Sequence, residues 1–280
     1  FAIWIDPPYT KDPHARSLQF VDSIKKELEY CKDSVLIARS YEDIEKALAE
    51  NKFYILIGLE GLSSIGENLI DFFYDFGARH ASLTWNEENV LATGARGSAG
   101  RGLTELGKKA VKKINQKNML MDVSHLNDKS FWDVVSVTNR PIIASHSNCR
   151  ALCDVPRNLT DDQLRKIAET GGLVGINSFN EFVHKDEKKQ TVEMLAKHVV
   201  HMAEIMGTDH IGIGMDYCDF LDDSAMSSFS SQETSYTLGL EDASKTYNII
   251  TELEKVGFSK EEIEKIAYKN FHSMIKEIIK

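Results

Sequence analysis

The sequence predicts an α/β fold with a parallel sheet, and three observations lead to that prediction. Short apolar runs alternate along the chain with longer amphipathic stretches. Most of the short runs are rich in Ile, Val and Leu without strict alternation, which is typical of strands buried on both faces of a parallel sheet. The length of 280 residues is close to that of a single (β/α)8 barrel, which is typically about 250 residues. We therefore predict one domain over residues 1–280.

Seven segments are predicted as strands. They are FAIWI (1–5), YILIGL (54–59), HASLTW (80–85), MLMDVS (119–124), PIIASH (141–146), GLVGIN (172–177) and HIGIGM (210–215). Strands that alternate with helices form a parallel sheet through right-handed crossovers. Seven strands are one fewer than a closed eight-stranded barrel requires.

Amphipathic periodicity predicts the helices between these strands. In residues 15–31, apolar side chains from Leu18 to Leu28 recur at steps of three and four. The next helix, 40–51, begins at Ser40, and Asp43 completes a pattern of the capping-box type. The remaining predicted helices are 104–116, 128–138, 160–170, 191–206, 241–256 and 260–279.

Composition and charge exclude several classes of function. The net charge is −10, so the chain has no basic excess with which to neutralise nucleic-acid phosphates. No apolar run approaches the roughly 20 residues that span a bilayer. No strand is followed by a G-x-G-x-x-G turn or a P-loop, the motifs that mark nucleotide-binding sheets. We expect neither nucleic acid nor a membrane as a partner.

The cysteines predict a reducing compartment. The chain has four, Cys31, Cys149, Cys153 and Cys218, and none of them forms a C-x-x-C pair. Without a second cluster, Cys149 and Cys153 do not complete a zinc knuckle. The interpretation is reduced thiols in a cytoplasmic protein.

Four polar side chains stand at the carboxyl ends of predicted strands. They are Glu60, His125, His146 and Asp216, each one or two positions after an apolar run. In a parallel barrel these ends share one face, which is the face that carries active sites. Imidazole nitrogen and carboxylate oxygen are the ligands that zinc takes, and manganese and cobalt suit them too. A carboxylate can also bridge two metals, so the pattern predicts a metal site.

Simpler interpretations exist for each residue taken alone. A single strand-end histidine is more often a hydrogen-bonded loop residue, and a single carboxylate there more often caps a helix. Four such residues at four strand ends favour the metal site. By contrast, His198 and His201 in HVVH lack the H-E-x-x-H form, and we interpret them as a solvated helix face. Asp122 and Asp219 flank the site and are predicted to be structural or to orient a liganding histidine; neither is placed among the metal ligands.

The loop after His146 carries a candidate substrate-binding residue, Arg157. A guanidinium above the metal face could bind a substrate carboxylate through two parallel hydrogen bonds. The alternative is a salt bridge from Arg157 to Asp161 or Asp162, and the sequence leaves both open.

Four motifs in this order resemble the membrane (renal) dipeptidase family, peptidase family M19, and the bacterial branch in particular. They are GLEG, LMDVSH, PIIASHSNCRALCDVPRNLTDDQL and IGIGMDY. The resemblance implies a (β/α)8 barrel of the metal-dependent hydrolase type, with two zinc ions and dipeptides as substrates.

By motif match the resemblance also implies a role for each site residue. Glu60 would be the carboxylate that bridges the metals, and His125 and His146 would ligate the second metal. Arg157 would hold the C-terminal carboxylate of the dipeptide. Asp216 would be the acid/base that handles the proton of the attacking water.

The sequence departs from the family pattern in two places. The family's first strand ends in an H-x-D motif that supplies ligands to the first metal, and nothing here matches it. The chain begins at what resembles the family's second strand, so we expect the first strand to be absent. Many members also have a histidine after LT, where this chain has Trp85, and the expected role of that histidine in stabilising the tetrahedral intermediate is not carried over.

The leading hypothesis is therefore a zinc-dependent dipeptidase that uses a metal-activated water. One alternative is another amidohydrolase-type enzyme, such as a lactonase, a deaminase or a dihydroorotase-like hydrolase. Another is an inactive barrel that lacks the first-strand ligands. The sequence leaves the oligomeric state open, with a homodimer among the options.

Overall fold

The computed structural model describes residues 1–4, 13–62, 66–221, 230 and 235–279. These residues form two compact units. The first unit comprises Phe1–Pro141 with Met274–Lys280, and the second comprises Ile142–Ser273. Ile5, the last residue of the first predicted strand, lies outside the described residues.

The first unit alternates strands and helices. Its elements are β1 (Ala2–Trp4), α1 (Pro13–Tyr30), β2 (Val35–Ile37), α2 (Tyr41–Ala49), β3 (Phe53–Ile55), β4 (Ile57–Glu60), α3 (Gly66–Phe76), β5 (Ala78–Ser82), α4 (Glu105–Gln116), β6 (Leu120–Asp122) and α5 (Asp128–Val137). Strand β4 lies between β1 and β5, and β6 pairs with the other side of β5, all in parallel. Strands β2 and β3 form a separate parallel pair.

The second unit follows the same pattern. Its elements are β7 (Ile142–Ala144), α6 (Asp161–Glu169), β8 (Leu173–Ile176), α7 (Asn180–Val183), α8 (Val192–Met206), β9 (Ile211–Ile213), α9 (Tyr247–Lys255), α10 (Lys260–Glu264) and the beginning of α11 (Asn270–Ile278). A π-helical turn, Lys265–Lys269, joins α10 to α11. Strand β8 pairs in parallel with β7 on one side and β9 on the other.

Local sequence signals explain where several helices begin. The side chain of Ser40 accepts a hydrogen bond from the backbone N–H of Asp43, and the Asp43 carboxylate accepts one from the N–H of Ser40. Thr160 and Gln163 form the same reciprocal pair at the start of α6. Each pair satisfies backbone donors that the first helical turn leaves without a partner.

Each of the seven predicted strands overlaps an observed strand; five contain a shorter one, whereas β5 begins two residues before the predicted segment 80–85. The segment 54–59 differs most, because residue Leu56 separates β3 from β4 and the two strands pair with different neighbours. The prediction missed β2, which has three residues, and the helices α3 and α7. Within the described part of the chain, no helix is both long enough and apolar enough to cross a membrane.

Candidate active site

Glu60 ends strand β4, and the register of the sheet decides which way its side chain points. Trp4 of β1 is its direct partner in the parallel pair, so both side chains lie on the same face. Leu59 points to the opposite face and is buried in the core. The strand therefore anchors itself through Leu59 and presents the Glu60 carboxylate, which is partly exposed, on the face that it shares with Trp4.

The two glycines around Glu60 have separate structural reasons. A Cβ on Gly58 would lie 2.2 Å from Nδ1 of His80, so the glycine makes room for that ring. Gly61 has φ +89°, a backbone conformation that favours glycine, and its N–H donates to Ser82 Oγ at 2.9 Å. The absence of a side chain at Gly58 is thus explained by the His80 ring that occupies the space.

Glu60 contacts His125 directly. Oε1 of Glu60 lies 2.7 Å from Nε2 of His125, which is buried. On the other side of the ring, Nδ1 lies 3.1 Å from Oδ1 of Asn86. An amide oxygen only accepts hydrogen bonds, so Nδ1 carries a proton that it donates to Asn86.

This arrangement bears on metal binding. A neutral imidazole with its proton on Nδ1 has a lone pair at Nε2, and that lone pair faces the Glu60 carboxylate. Two acceptors repel each other, and 2.7 Å is a hydrogen-bond distance, so a proton lies between the two atoms here and a bound metal ion would replace that proton. The carboxylate, the imidazole and the oriented tautomer are the features of a divalent metal site.

A second acid–base pair lies deeper in the same unit. Nε2 of His80 is 2.7 Å from Oδ2 of Asp122, and the other carboxylate oxygen accepts hydrogen bonds from the N–H and hydroxyl of Ser124. Asp122 is buried, and the hydrogen bonds compensate the desolvation of its charge. Among the described contacts, the histidine partner of Asp122 is His80, which was not among the predicted site residues.

Two tryptophans border the contact between Glu60 and His125. The ring centroids of Trp4 and Trp85 are 5.1 Å apart, with an angle of 51° between the planes. The Trp85 centroid is 6.3 Å from that of the His125 ring. Trp85, which stands where many members of the resembled family have a histidine, thus lies beside the predicted ligand His125.

In the second unit, His146 follows β7 and is buried. Its Nδ1 lies 2.7 Å from Oγ of Ser145, and its Nε2 lies 4.0 Å from Oδ2 of Asp216. Asn177, which follows β8, donates from Nδ2 to the same Asp216 oxygen at 3.4 Å. The ends of three neighbouring strands thus bring these polar groups together.

Asp216 has an unusual backbone. Its φ is +60°, in the left-handed region that non-glycine residues seldom occupy. Such conformations cost about 1–3 kcal/mol and cluster at functional sites, where the surrounding structure holds them. The conformation directs the Asp216 carboxylate toward His146 and Asn177.

Arg157 lies in the loop between β7 and α6 and is buried. Its Nη2 donates to the backbone carbonyl of His146 at 3.4 Å, and its guanidinium lies 5.2 Å from the centre of the Phe182 ring. The two aspartates considered as its alternative partners have other contacts, because Asp161 lies 2.8 Å from His201 and Asp162 lies 2.8 Å from Arg165. A buried guanidinium beside a predicted ligand can bind an anionic group of a substrate.

His198 supports this loop, and the interpretation of HVVH as a solvated helix face is wrong for it. His198 is fully buried, its Nδ1 accepts from the N–H of Cys149 at 3.1 Å, and its Nε2 donates to the carbonyl of Val183 at 2.9 Å. Burial lowers the pKa of His198 to about 4, so the ring is neutral at pH 7. Burial also raises the pKa of the Cys149 thiol. The i,i+3 spacing was visible in the sequence, but the loop that covers this side of α8 was not.

The structure places the predicted site residues in contact with partners from their own unit. In the first unit it brings Glu60 and His125 into contact, and in the second it brings His146 and Asp216 to 4.0 Å, with Arg157 bonded to the His146 backbone. Asp219, the other flanking carboxylate, lies in an exposed turn.

A family model described as membrane dipeptidase (peptidase family M19) matches residues 1–280 of this chain. The chain belongs to this family. The dipeptidase tcpJ of Claviceps purpurea is 29% identical over 266 residues, which are 94% of this chain and 60% of that protein. The present chain thus spans less than two thirds of the length of that curated relative.

Two solved structures are similar over the whole M19 family chain. The metallopeptidase dipeptidase AC, of family M19, is 25% identical, with a TM-score of 0.87, and the match covers 85% of it. A metallopeptidase from Rhodobacter sphaeroides, liganded with a phosphinate mimic of the dipeptide L-Ala-D-Ala, is 25% identical, with a TM-score of 0.84 and 77% of its length covered.

These similarities confirm three predictions. The family is the one that the motifs resembled, and the fold class is the (β/α)8 barrel type of the metal-dependent hydrolases. The enzyme class is a peptide-bond hydrolase, and the family and its named relatives support metal-dependent hydrolysis of dipeptides. Membership also implies a metal cofactor.

Proposed function

We propose that residues 1–280 are a single catalytic domain of a zinc-dependent dipeptidase. The observation that carries this proposal is the contact between Glu60 and His125 in the first unit. There a carboxylate oxygen and a ring nitrogen, both possible metal donors, lie 2.7 Å apart, and the other ring nitrogen is held 3.1 Å from Oδ1 of Asn86. The family match over the whole chain supports the same conclusion.

The proposed metal ligands are Glu60, His125 and His146. Glu60 is the proposed bridge to a second ion, and the donor set of one carboxylate and two imidazoles suits zinc, manganese or cobalt. When bound, such an ion lowers the pKa of a coordinated water toward 7 and polarises the scissile carbonyl. The polypeptide's part is to hold these donors in place, and Asn86 does so for His125.

Asp216 is the proposed proton carrier. Its carboxylate would take the proton of the attacking water and return it to the amine that leaves. Asn177 donates to one of its oxygens at 3.4 Å, which holds the carboxylate in position. The side chain is about a third exposed, so water and a substrate amine can reach it.

Arg157 is the proposed anchor for the substrate's C-terminal carboxylate. It is buried, and a buried cation favours an anionic partner. A bidentate pair would position the peptide bond relative to the strand-end residues and would exclude substrates without a free carboxylate. The phosphinate dipeptide mimic bound by the R. sphaeroides relative supports a substrate of two residues.

A substrate panel tests the proposed function. The zinc-loaded chain is expected to hydrolyse L-Ala-L-Ala or L-Ala-D-Ala, to lose activity on chelation and to regain it when zinc returns. The corresponding dipeptide amides are expected to be poor substrates. Hydrolysis of lactones or dihydroorotate without dipeptide hydrolysis would contradict the proposal and favour another amidohydrolase. Zinc binding without any hydrolysis would favour an inactive barrel.

Two further expectations accompany this function. We propose a cytoplasmic location, supported by the buried thiols of Cys149 and Cys153, where burial raises the pKa of Cys153 to about 11. Subcellular fractionation tests that location, with recovery in an oxidising compartment as the contrary result. A homodimer remains a prediction from the sequence, to be checked by light scattering.

A further inference from the structure

Trp4 and Trp85 lie on the same side of the first unit as the predicted ligand Glu60. Trp4 and Glu60 are register partners in β1 and β4, and neighbours in register project from the same face of a parallel sheet. Trp85 follows β5, and its ring lies 5.1 Å from that of Trp4 and 6.3 Å from that of His125. The two indoles therefore flank the contact between Glu60 and His125.

Both indoles are partly exposed, although tryptophan gains much from burial. Other large apolar side chains of the first unit, such as Leu59, Phe73 and Phe131, are fully buried. A pair of indoles in contact with each other, left partly open beside polar groups, is typical of ligand sites, where an apolar wall surrounds a few polar residues.

The backbone around Trp85 is held firmly. The N–H of Leu62 donates to the carbonyl of Leu83 at 3.2 Å, and the N–H of Arg96 donates to the carbonyl of Asn86 at 3.0 Å. A Cβ on Gly94 would lie 2.4 Å from the Trp85 carbonyl oxygen, so the two segments are in close contact. A wall that is already in position does not pay the entropy of ordering when a ligand binds.

We propose that Trp4 and Trp85 form an aromatic wall that binds an apolar side chain of the substrate. The inference rests on the proposed function and adds the substrate class, namely dipeptides with at least one aromatic or large aliphatic side chain. Indole offers one N–H donor and no acceptor, so it cannot replace the hydration of a charged side chain. Glycine would leave the wall uncovered. Dipeptides with charged side chains and dipeptides of glycine are therefore expected to bind less well than those with a large apolar side chain.

The test compares substrates that differ in one side chain. For the zinc-loaded full chain, kcat/KM is measured on Gly-Gly, Phe-Gly, Gly-Phe, Leu-Gly, Gly-Leu and the corresponding Asp peptides. At one of the two positions, Phe or Leu is expected to exceed Gly or Asp by about tenfold or more, as an apolar pocket discriminates. Trp85→Ala is expected to reduce this preference to less than about threefold, with the loss confined to the apolar substrates, and Trp85→Phe to retain most of it.

Dissociation constants of phosphinate dipeptide analogues with Phe-type or Gly-type side chains give a readout that does not depend on turnover. They are measured by calorimetry on the same proteins, with Trp132→Ala as a control because Trp132 is exposed on α5. Zinc content and the melting temperature show that each variant is folded and loaded. Where Trp85→Ala does not fold, Trp4→Ala supplies the test, and the same loss of apolar preference is expected.

The outcomes separate this inference from the proposed function. Dipeptide hydrolysis without apolar preference, or an equal loss on all substrates in Trp85→Ala, overturns the aromatic wall and leaves the dipeptidase intact. Analogue binding with apolar preference but without hydrolysis supports the wall and overturns the dipeptidase. If the chain shows no hydrolysis of dipeptides and no binding of the analogues, both the aromatic wall and the dipeptidase proposal are overturned.

Discussion

The strand ends of the two units are organised in different ways. In the first unit the polar side chains hold one another, with Glu60 at 2.7 Å from His125 and His80 at 2.7 Å from Asp122. In the second unit the acid and the base are farther apart, with Nε2 of His146 at 4.0 Å from Oδ2 of Asp216. There the loops and the backbone supply the contacts, as where Arg157 donates to the His146 carbonyl.

This difference suggests what each region contributes. The paired acids and bases of the first unit place charges where a cation would be bound, so substitutions there should act on metal affinity. The second unit places separate groups on a rigid frame, with Asn177 beside Asp216 and His198 beneath the loop. Substitutions there should act on turnover, on substrate binding or on the stability of the frame.

The largest effect is expected at Asp216. In Asp216→Asn the amide cannot accept the proton of the attacking water, so kcat should fall by about 10²- to 10⁴-fold, the usual contribution of a general base. Zinc content and KM should change little. Steady-state kinetics with metal analysis check this, and loss of zinc in the variant would move Asp216 from proton transfer to metal binding.

At Arg157 the expected effect is on substrate binding. Arg157→Ala should raise KM for dipeptides by about a hundredfold, as expected when one partner of a buried charged pair is removed. Zinc content should not change. Hydrolysis of a dipeptide amide, which lacks the carboxylate, should be as slow in the variant as in the parent chain. A KM effect that follows metal loss would instead make Arg157 a structural residue.

In the first unit, Asn86→Ala should weaken zinc binding by about 10- to 100-fold, because the His125 ring loses the acceptor that fixes its tautomer. Asn86→Asp keeps an acceptor oxygen and should restore most of the affinity. Competition with a chromogenic chelator measures both constants. Equal affinities in Asn86→Ala and the parent chain would show that Asn86 has no positioning role.

The frame of the second unit should depend on pH through His198. Its pKa is about 4 in the folded state, below its ordinary value of 6.5, so the unfolded chain binds more protons between these values and stability falls as the pH drops. From pH 7 to pH 5 this group should cost about 2 kcal/mol of unfolding free energy. Urea titrations of the parent and His198→Gln measure it. The variant should lose less stability, and an identical loss would contradict the assignment.

Much of this fold and site could be predicted from the sequence, because apolar runs and the polar residue that follows each run are local signals. Glu60, His125, His146 and Asp216 were proposed as site residues in this way. The contacts of Asn86 with His125 and of Trp4 with Trp85 depend on residues brought together from separate segments, so no local pattern reports them.

Burial was the other property that local sequence did not reveal. His198 and His201 lie on the same helix in equivalent sequence surroundings, yet His198 is fully buried and His201 is partly exposed beside Asp161. The covering loop decides which histidine is buried. Strand β2, Val35–Ile37, was also missed; it has three residues and pairs with β3, which lies outside the seven-stranded sheet.

The central claim is that Glu60, His125 and His146 bind the catalytic metal, and zinc stoichiometry tests it most directly. Zinc per chain is measured by mass spectrometry after dialysis for the parent, Glu60→Gln, His125→Ala and His146→Ala, with His201→Ala as the matched control. Each of the three ligand variants should lose zinc and activity together, while the control keeps both. Ligand variants that retain the parent's zinc content would contradict the account.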